Sequence, residues 1–313
     1  MKFIRNNSLN PYFNIALEEY CLENKVNEEN FFIIWRNKPS IVVGRHQNIF
    51  QEIDYEYIKK ENILVVRRIS GGGTVYHDLG NVNYTFIFNR NDNDINYEIH
   101  NYKIMEALSI LNINTSMSKR HDILLDDKKI SGNAQRIHKK HVLHHGTILF
   151  DTDLVKLEKS LDVKNNAIYS KATKSVRSQV TNIKENMCED MNTEEFQEHL
   201  IKILSNDYSD DEILLTDEDF FRINKKVNEK FMKWEWNYGE SPKFTVNKHV
   251  DNDNDIWDVK IIVNNGLILE CNLIKNGKEI LYNLTGLRYE IDVLDANICG
   301  LTKNDIYCLF FKN

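Results

Sequence analysis

Arg67-Arg68-Ile69-Ser70-Gly71-Gly72-Gly73-Thr74-Val75-Tyr76-His77-Asp78 places three of the chain's 12 glycines side by side, directly after the apolar run Ile63–Arg68. Glycine admits backbone conformations closed to other residues and lets a main chain approach a ligand with no Cβ in between, but ordering it is entropically costly. A triple glycine between two strands therefore reads as a flexible hairpin turn or as a cradle whose N–H groups hold an anion. The cost favours the cradle. Arg67 and Arg68 point to opposite faces of the preceding strand, so one of them looks into a pocket beneath the turn. After the turn, alternation sets Val75 and His77 on one face, and Thr74, Tyr76 and Asp78 on the other. Two nucleotide signatures fail. No Lys-Ser or Lys-Thr follows the glycines, as a P-loop requires, and a strand rather than a helix comes next, unlike a dinucleotide fingerprint.

Working outward, Phe31–Arg36 and Ile41–Gly44 read as strands separated by Pro39, and Thr74–Asp78 and Val82–Phe88 as two more. Leu79-Gly80-Asn81 suits a tight hairpin between the latter pair. Helical spacing covers residues 12–25, 54–61, 97–111, 154–161, 193–204 and 218–234. Asn89–Asn96 and Lys171–Thr181 are polar and read as loops. Three strands are expected at Asp122–Leu125, Lys129–Ile137 and Val142–Phe150. Trp234–Lys243, with Gly239 and Pro242, reads as a boundary; beyond it come three strands and short helical stretches. Strands and helices do not alternate as βαβ units, so the class is α+β. A large domain over 1–240 and a small α+β domain over 244–313 agree with the length of 313 residues, at about 150 per domain.

Asp126-Asp127-Lys128-Lys129-Ile130-Ser131-Gly132-Asn133-Ala134-Gln135-Arg136 alternates. One face carries Lys129, Ser131, Asn133 and Gln135. The other carries Lys128, Ile130, Gly132, Ala134 and Arg136, and reads as packed on the core. The polar face either meets water as an edge strand or lines a site, and alternation selects Lys129 over Lys128 as the inward cation. An ammonium there suits a point charge on phosphate or carboxylate oxygens. Four histidines at 138, 141, 144 and 145 lack a Cys or carboxylate to complete a zinc set, and read as a basic turn rather than a metal site.

Composition narrows the classes. Apolar residues make up 42% of the chain, enough for a sizeable core, and 40 basic against 47 acidic side chains leave a net charge of −7, which disfavours nucleic acid as the main partner. Cys21, Cys188, Cys271, Cys299 and Cys308 are odd in number and far apart, as expected of reduced thiols in a cytoplasmic protein. The first residues lack the apolar stretch of a secretion signal, and no run approaches the ~20 apolar residues of a membrane span. The 40 asparagines read as compositional background.

Taken together, the motifs resemble the lipoate–protein ligase family over nearly the whole chain. Pro39–Asn48 is similar to its P-x-(apolar)-G-R-x-Q-N segment, Arg67–Asn81 to its R-R-x-S-G-G-G-x-V-(aromatic)-H-D-x-G-N loop, and Lys129–Ala134 to its lysine strand. His144-His145-Gly146-Thr147 matches its H-H-G-T, Lys174–Asn182 its adenylate-binding loop, and Trp234–Gly239 the end of its large domain. The resemblance implies a fold like the catalytic domains of biotin ligases and class II synthetases, with a C-terminal accessory domain. It implies attack of a lipoate carboxylate on the α-phosphate of ATP with Mg²⁺, then transfer of the acyl group to a lysine of a lipoyl domain. The acceptors implied are the acyltransferase subunits of 2-oxoacid dehydrogenases or the glycine-cleavage H protein, met by a monomer.

The same resemblance assigns residues. Lys129 would be catalytic. Arg68, Ser70, Gly71, Gly72, Gly73 and His77 would bind lipoate. Val75, Tyr76, Asn81, Asp122, Lys129, Ser175 and Arg177 would meet ATP or the adenylate, with Asp122 a Mg²⁺ ligand. His121-Asp122 stands where the family often has Asn-Asp. The rivals are an octanoyl or lipoyl transferase working without ATP, which needs a reactive cysteine that no motif here carries; biotin–protein ligase, whose Arg-Gly loop differs; and a non-catalytic lipoate-binding module.

Overall fold

The computed structural model describes residues 1–25, 30–89, 97–163, 167–187, 189–206, 211–252 and 255–312. Its strands are β1 (Lys2–Arg5), β2 (Phe31–Arg36), β3 (Ser40–Val43), β4 (Leu64–Arg67), β5 (Val75–His77), β6 (Asn81–Asn89), β7 (Ser116–Met117), β8 (Ile123–Leu125), β9 (Lys128–Ser131), β10 (Asn133–His138), β11 (His141–Leu149), β12 (Ile168–Ser170), β13 (Phe244–Asn252), β14 (Asp255–Asn264), β15 (Leu267–Lys275) and β16 (Lys278–Ile280). Its helices are α1 (Pro11–Asn24), α2 (Tyr55–Lys60), α3 (Tyr97–Ile110), α4 (Leu154–Leu161), α5 (Thr193–Ser205), α6 (Asp217–Lys226), α7 (Ile291–Asn297) and α8 (Lys303–Ile306).

A five-stranded sheet, β1-β2-β6-β11-β10, is covered on both faces. This explains why β2 is apolar at nearly every position: Phe32 and Ile34 join α3 and α5 in one core, while Phe31, Ile33 and Trp35 join α1 and Phe231 in another. Two three-stranded sheets, β4-β3-β5 and β7-β8-β9, lie beside it. The α+β class holds. Asp54 caps α2 by accepting from the Tyr57 N–H at 2.9 Å, as its place before the helix suggested.

The C-terminal strands form a second five-stranded sheet, β12-β13-β14-β15-β16, whose edge strand β12 comes from the first part of the chain. One hydrophobic core joins Ile41, Val43, Val65 and Tyr76 of the small sheet to Phe244, Tyr289, Phe310 and Phe311. Phe50 packs edge-on against Tyr289 at 5.0 Å between ring centroids, so aromatic contact crosses the boundary read at 234–243.

Two expectations are corrected. Leu79-Gly80-Asn81 does not close a hairpin: β5 pairs with β3, while β6 pairs with β2 and β11. The turn carries the chain between sheets because the Gly80 carbonyl accepts from the N–H groups of Phe150 and Asp151, at 3.2 and 2.9 Å. A Cβ on Gly80 would lie 1.9 Å from the Asp151 carbonyl oxygen, which requires glycine there. The lysine strand is also two strands, parting at Gly132 into different sheets. Alternation therefore fails past that point, and Gly132 and Ala134 face a cavity instead of the core. Residues 90–96, expected as a loop, and Cys188 lie outside the described residues. No helix among the described residues is long and apolar enough to cross a membrane.

Candidate active site

Beneath the glycine turn lies a cavity of ≈ 230 Å³. Ile15, Trp35, Val42, Val75 and Ala134 give it an apolar part, and Arg68, His77, Lys129 and His145 bring polar groups to its wall. A second cleft of ≈ 300 Å³ is lined by the charged side chains of Lys119, Arg120 and Asp127, with Ser118, Leu124, Ser178 and Gln179. Arg120, Asp122 and Lys129 line both. Lys129 Nζ stands 2.8 Å from Asp122 Oδ1, and Gly132 makes room for it, since a Cβ there would fall 2.8 Å from the ammonium. Lys128, at the strand's start, is exposed, and Lys129 is the inward cation.

Arg68 shapes the turn. Its guanidinium donates to the carbonyls of Val42, Gly71 and Gly73 at 3.0, 2.6 and 2.7 Å, and Nε donates to Ser70 Oγ at 3.0 Å. Burial pushes it down to about 10, so it stays charged at neutral pH. Gly72 has φ +87°, and a Cβ on it would press on Arg68 Nη2 at 2.9 Å. Arg67 points the other way and is fully buried. Its guanidinium donates to the carbonyls of Gly44, Gln47 and Asn237 at 3.0, 2.8 and 2.9 Å, fastening the helical turn at Glu235–Gly239 to the glycine strand.

His77 lines the cavity, and its orientation is set by asparagines that read as background. Asn6 donates to Asn14 Oδ1, and Asn14 donates to Asn37 Oδ1, at 2.9 and 2.8 Å. Asn37 Nδ2 therefore faces His77 Nδ1 at 3.0 Å, which makes that nitrogen an acceptor and assigns the proton to Nε2. Nε2 is buried with no protein partner. Burial, with the Arg68 charge, pushes His77 down to about 3, so the ring is neutral and offers one N–H. Opposite it, His145 links Glu18 to the turn: Nδ1 lies 2.8 Å from Glu18 Oε1 and Nε2 2.7 Å from Ser70 Oγ.

The candidate residues are not all brought together. Arg68, Gly72, Gly73, Val75, His77, Asp122, Lys129 and Ser175 line the cavity. Ser70 sits behind the turn, bonded to His145, and a Cβ on Gly71 would meet nothing within 4 Å. Tyr76 turns into the core shared with the C-terminal unit, as alternation implied, so its side chain does not reach a nucleotide in the cavity. Asn81 is buried and donates to Asn83 Oδ1 at 2.9 Å; Asn83, not Asn81, lines the cavity. Arg177 is exposed and donates to the Leu161 carbonyl at 3.0 Å. Sequence reasoning passed over Trp35, Asn37, Glu18 and Glu52; only their neighbours carried a motif. No cluster of three His, Cys, Asp or Glu suited to a metal occurs among the described residues.

The Lipoyl protein ligase A/B catalytic domain model matches residues 10–205. This chain belongs to that family. The ligase family also supplies relatives over almost the full length. Lipoate-protein ligase LplJ of Bacillus subtilis is 38% identical over 94% of this chain and 92% of its own. Lipoate–protein ligase 1 of Staphylococcus aureus is 40% identical over 86% of this chain and 82% of its own. Among solved structures, P. falciparum LipL1 in complex with lipoate superposes with a TM-score of 0.65 at 27% identity, covering 97% of this chain and 96% of that one.

Proposed function

We propose that the chain joins lipoate to a lysine of a lipoyl domain in two steps, the first of which consumes ATP. The observation that carries this reading is the position of Lys129, which lines both the cavity beneath the glycine turn and the charged cleft beside it. In the first step the lipoate carboxylate attacks the α-phosphate of ATP, forming the acyl adenylate and releasing pyrophosphate. In the second, the acceptor amine attacks the acyl carbonyl and AMP leaves with the C–O bonding pair. Both transition states place negative charge on oxygen, so the need is a fixed cation rather than a protein nucleophile. Lys129 supplies it, with the dithiolane and alkyl chain against Trp35, Val42 and Ala134. His77 offers its Nε2 proton to the ligand, and Ser175 and Val176 cover the mouth.

Mg²⁺ is bound mainly by nucleotide phosphates plus one or two carboxylates, and Asp122, lining both cavities, fits as that carboxylate. When bound, Mg²⁺ neutralises charge on the phosphate oxygens. Asp122 would then exchange its ion pair with Lys129 for the metal. We infer further that the acceptors are 2-oxoacid dehydrogenase acyltransferase subunits or the glycine-cleavage H protein, and that the chain acts as a cytoplasmic monomer. The cavity lining contains no cysteine among the described residues, which speaks against a thiol-dependent transferase.

The test is mass spectrometry of a lipoyl domain incubated with the chain, lipoate and Mg-ATP, each omitted in turn. One lipoyl increment that needs every component is expected. Acylation from an acyl carrier without ATP would instead indicate the transferase, and lipoate binding with no increment a binding module.

A further inference from the structure

Between β12 and residue 181 runs a strap that crosses the mouth of the cavity. Its far end is stitched to the catalytic strand: Lys129 N–H donates to the Gln179 carbonyl at 2.9 Å, and Thr181 N–H donates to the Lys129 carbonyl at 3.2 Å. Its near end lies along residues 47–52. Gln51 Nε2 donates to the Ile168 carbonyl and Gln51 Oε1 accepts from Ser170 Oγ, both at 2.7 Å. Gln47 Nε2 donates to Ser175 Oγ at 3.0 Å.

Besides Gln47, which also donates to the Thr173 carbonyl at 3.4 Å, a carboxylate holds the middle of the strap. Glu52, only 7% exposed, accepts from the Ser175 backbone N–H at 3.2 Å and from the Ser175 hydroxyl. That hydroxyl oxygen in turn accepts from the Thr74 N–H at 2.8 Å, on the glycine turn itself. A Cβ on Gly73 would lie 2.9 Å from Ser175 Oγ, so strap and turn are in direct contact there. Between these bonds, residues 171, 173, 174, 176 and 177 are exposed. We propose that Glu52 is a positioning residue, seating the strap on the glycine turn through Ser175 and so fixing the shape of the cavity mouth; what the mouth admits rests on the ligase reading above.

A hydrogen bond to an ionised acceptor outweighs a neutral one, and here both donors of a single serine converge on one carboxylate. Burial raises the Glu52 carboxyl above its ordinary value while the Ser175 and Gln47 bonds and the Lys174 charge oppose it. The carboxylate therefore leans on this serine for its solvation.

Lys171, Lys174 and Arg177 make the strap a substrate for trypsin, so its release can be read on the whole chain without ligands. Glu52→Ala and Ser175→Ala should each speed cleavage at these three sites by roughly tenfold or more, and the double variant should fall well short of the product of the two, because the hydroxyl–carboxylate bond is common to both. Glu52→Gln should fall between, since its amide oxygen still accepts one Ser175 donor. In lipoate-dependent ATP–pyrophosphate exchange, Glu52→Ala should raise the KM for ATP with kcat within about threefold. Unchanged cleavage in Glu52→Ala, or effects that multiply in the double variant, would overturn the proposal. Should Glu52→Ala fail to fold, Glu52→Gln and Ser175→Ala decide it. If the unaltered chain shows no exchange, the ligase reading fails, and the cleavage pattern still judges the role of Glu52.

Discussion

Lys129 and Asp122 form an ion pair, 2.8 Å from Nζ to Oδ1, at the partition between the cavity beneath the glycine turn and the charged cleft. The lysine is thereby held pointing at the cavity before any substrate arrives, and the carboxylate is held where nucleotide phosphates would bring their metal.

Asp122→Asn keeps the shape and removes the charge. Adenylate formation should fall by about one to two orders of magnitude, with a raised requirement for Mg²⁺. Lipoate binding without nucleotide should change by less than about twofold, because Asp122 lies at the partition rather than in the apolar part. Calorimetric titration with lipoate and pyrophosphate exchange at varied Mg²⁺ separate the two effects.

The three adjacent glycines should respond differently to alanine. Gly72 has φ +87° and Arg68 against its would-be Cβ, so Gly72→Ala should cost about 1–3 kcal/mol of stability and weaken lipoate binding. Gly73→Ala should push on Ser175 and disturb nucleotide more than lipoate. Gly71→Ala meets open space and should lie within about 0.5 kcal/mol of the parent. Urea unfolding and lipoate titration of the three variants check the order.

Tyr76 carries a buried hydroxyl with no protein partner, and its ring packs in the core shared with the C-terminal unit. Removing an unsatisfied hydroxyl while keeping the ring is neutral or stabilising. Tyr76→Phe should therefore retain full exchange activity and an equal or higher unfolding midpoint. A large loss of nucleotide affinity would show that the side chain reaches the ligand after all.

Acid should destabilise the fold through buried neutral histidines. Burial pushes His77 down to about 3 and His100 down to about 4, and lowers His144 well below its ordinary value. Their folded values lie below the unfolded value near 6.5, so the unfolded chain takes up protons first and stability falls as pH drops from 6.5 toward 4. Each group contributes about 1.4 kcal/mol per pH unit in that window. His100 packs against Phe88 at 4.1 Å between ring centroids, so His100→Phe keeps an aromatic ring there and should flatten the decline by about one such increment. Urea midpoints at pH 7, 6 and 5 measure it.

The glycine turn, the inward lysine and most helices were legible because each leaves a local mark: adjacent glycines, two-residue alternation, an Asp before a helical run. What stayed hidden depends on partners distant in the chain. Nothing local distinguishes a hairpin at Gly80 from a crossing between sheets, since the deciding bonds come from Phe150 and Asp151. The break at Gly132 was invisible to alternation because glycine fits either face. Asn14 and Asn37 orient His77 over gaps of 23 and 40 residues, and an asparagine-rich composition masks such a relay. Glu18 and Glu52 look like ordinary helix and loop acids until the fold buries them against His145 and Ser175.

The central claim is that one ammonium, at position 129, stabilises the adenylate. Lipoate-dependent exchange of labelled pyrophosphate into ATP tests it most directly, with Lys128→Ala as the neighbouring control. Lys129→Ala should lose the exchange by at least about a thousandfold while Lys128→Ala retains it within about twofold. Exchange at the parent rate in Lys129→Ala would contradict the account.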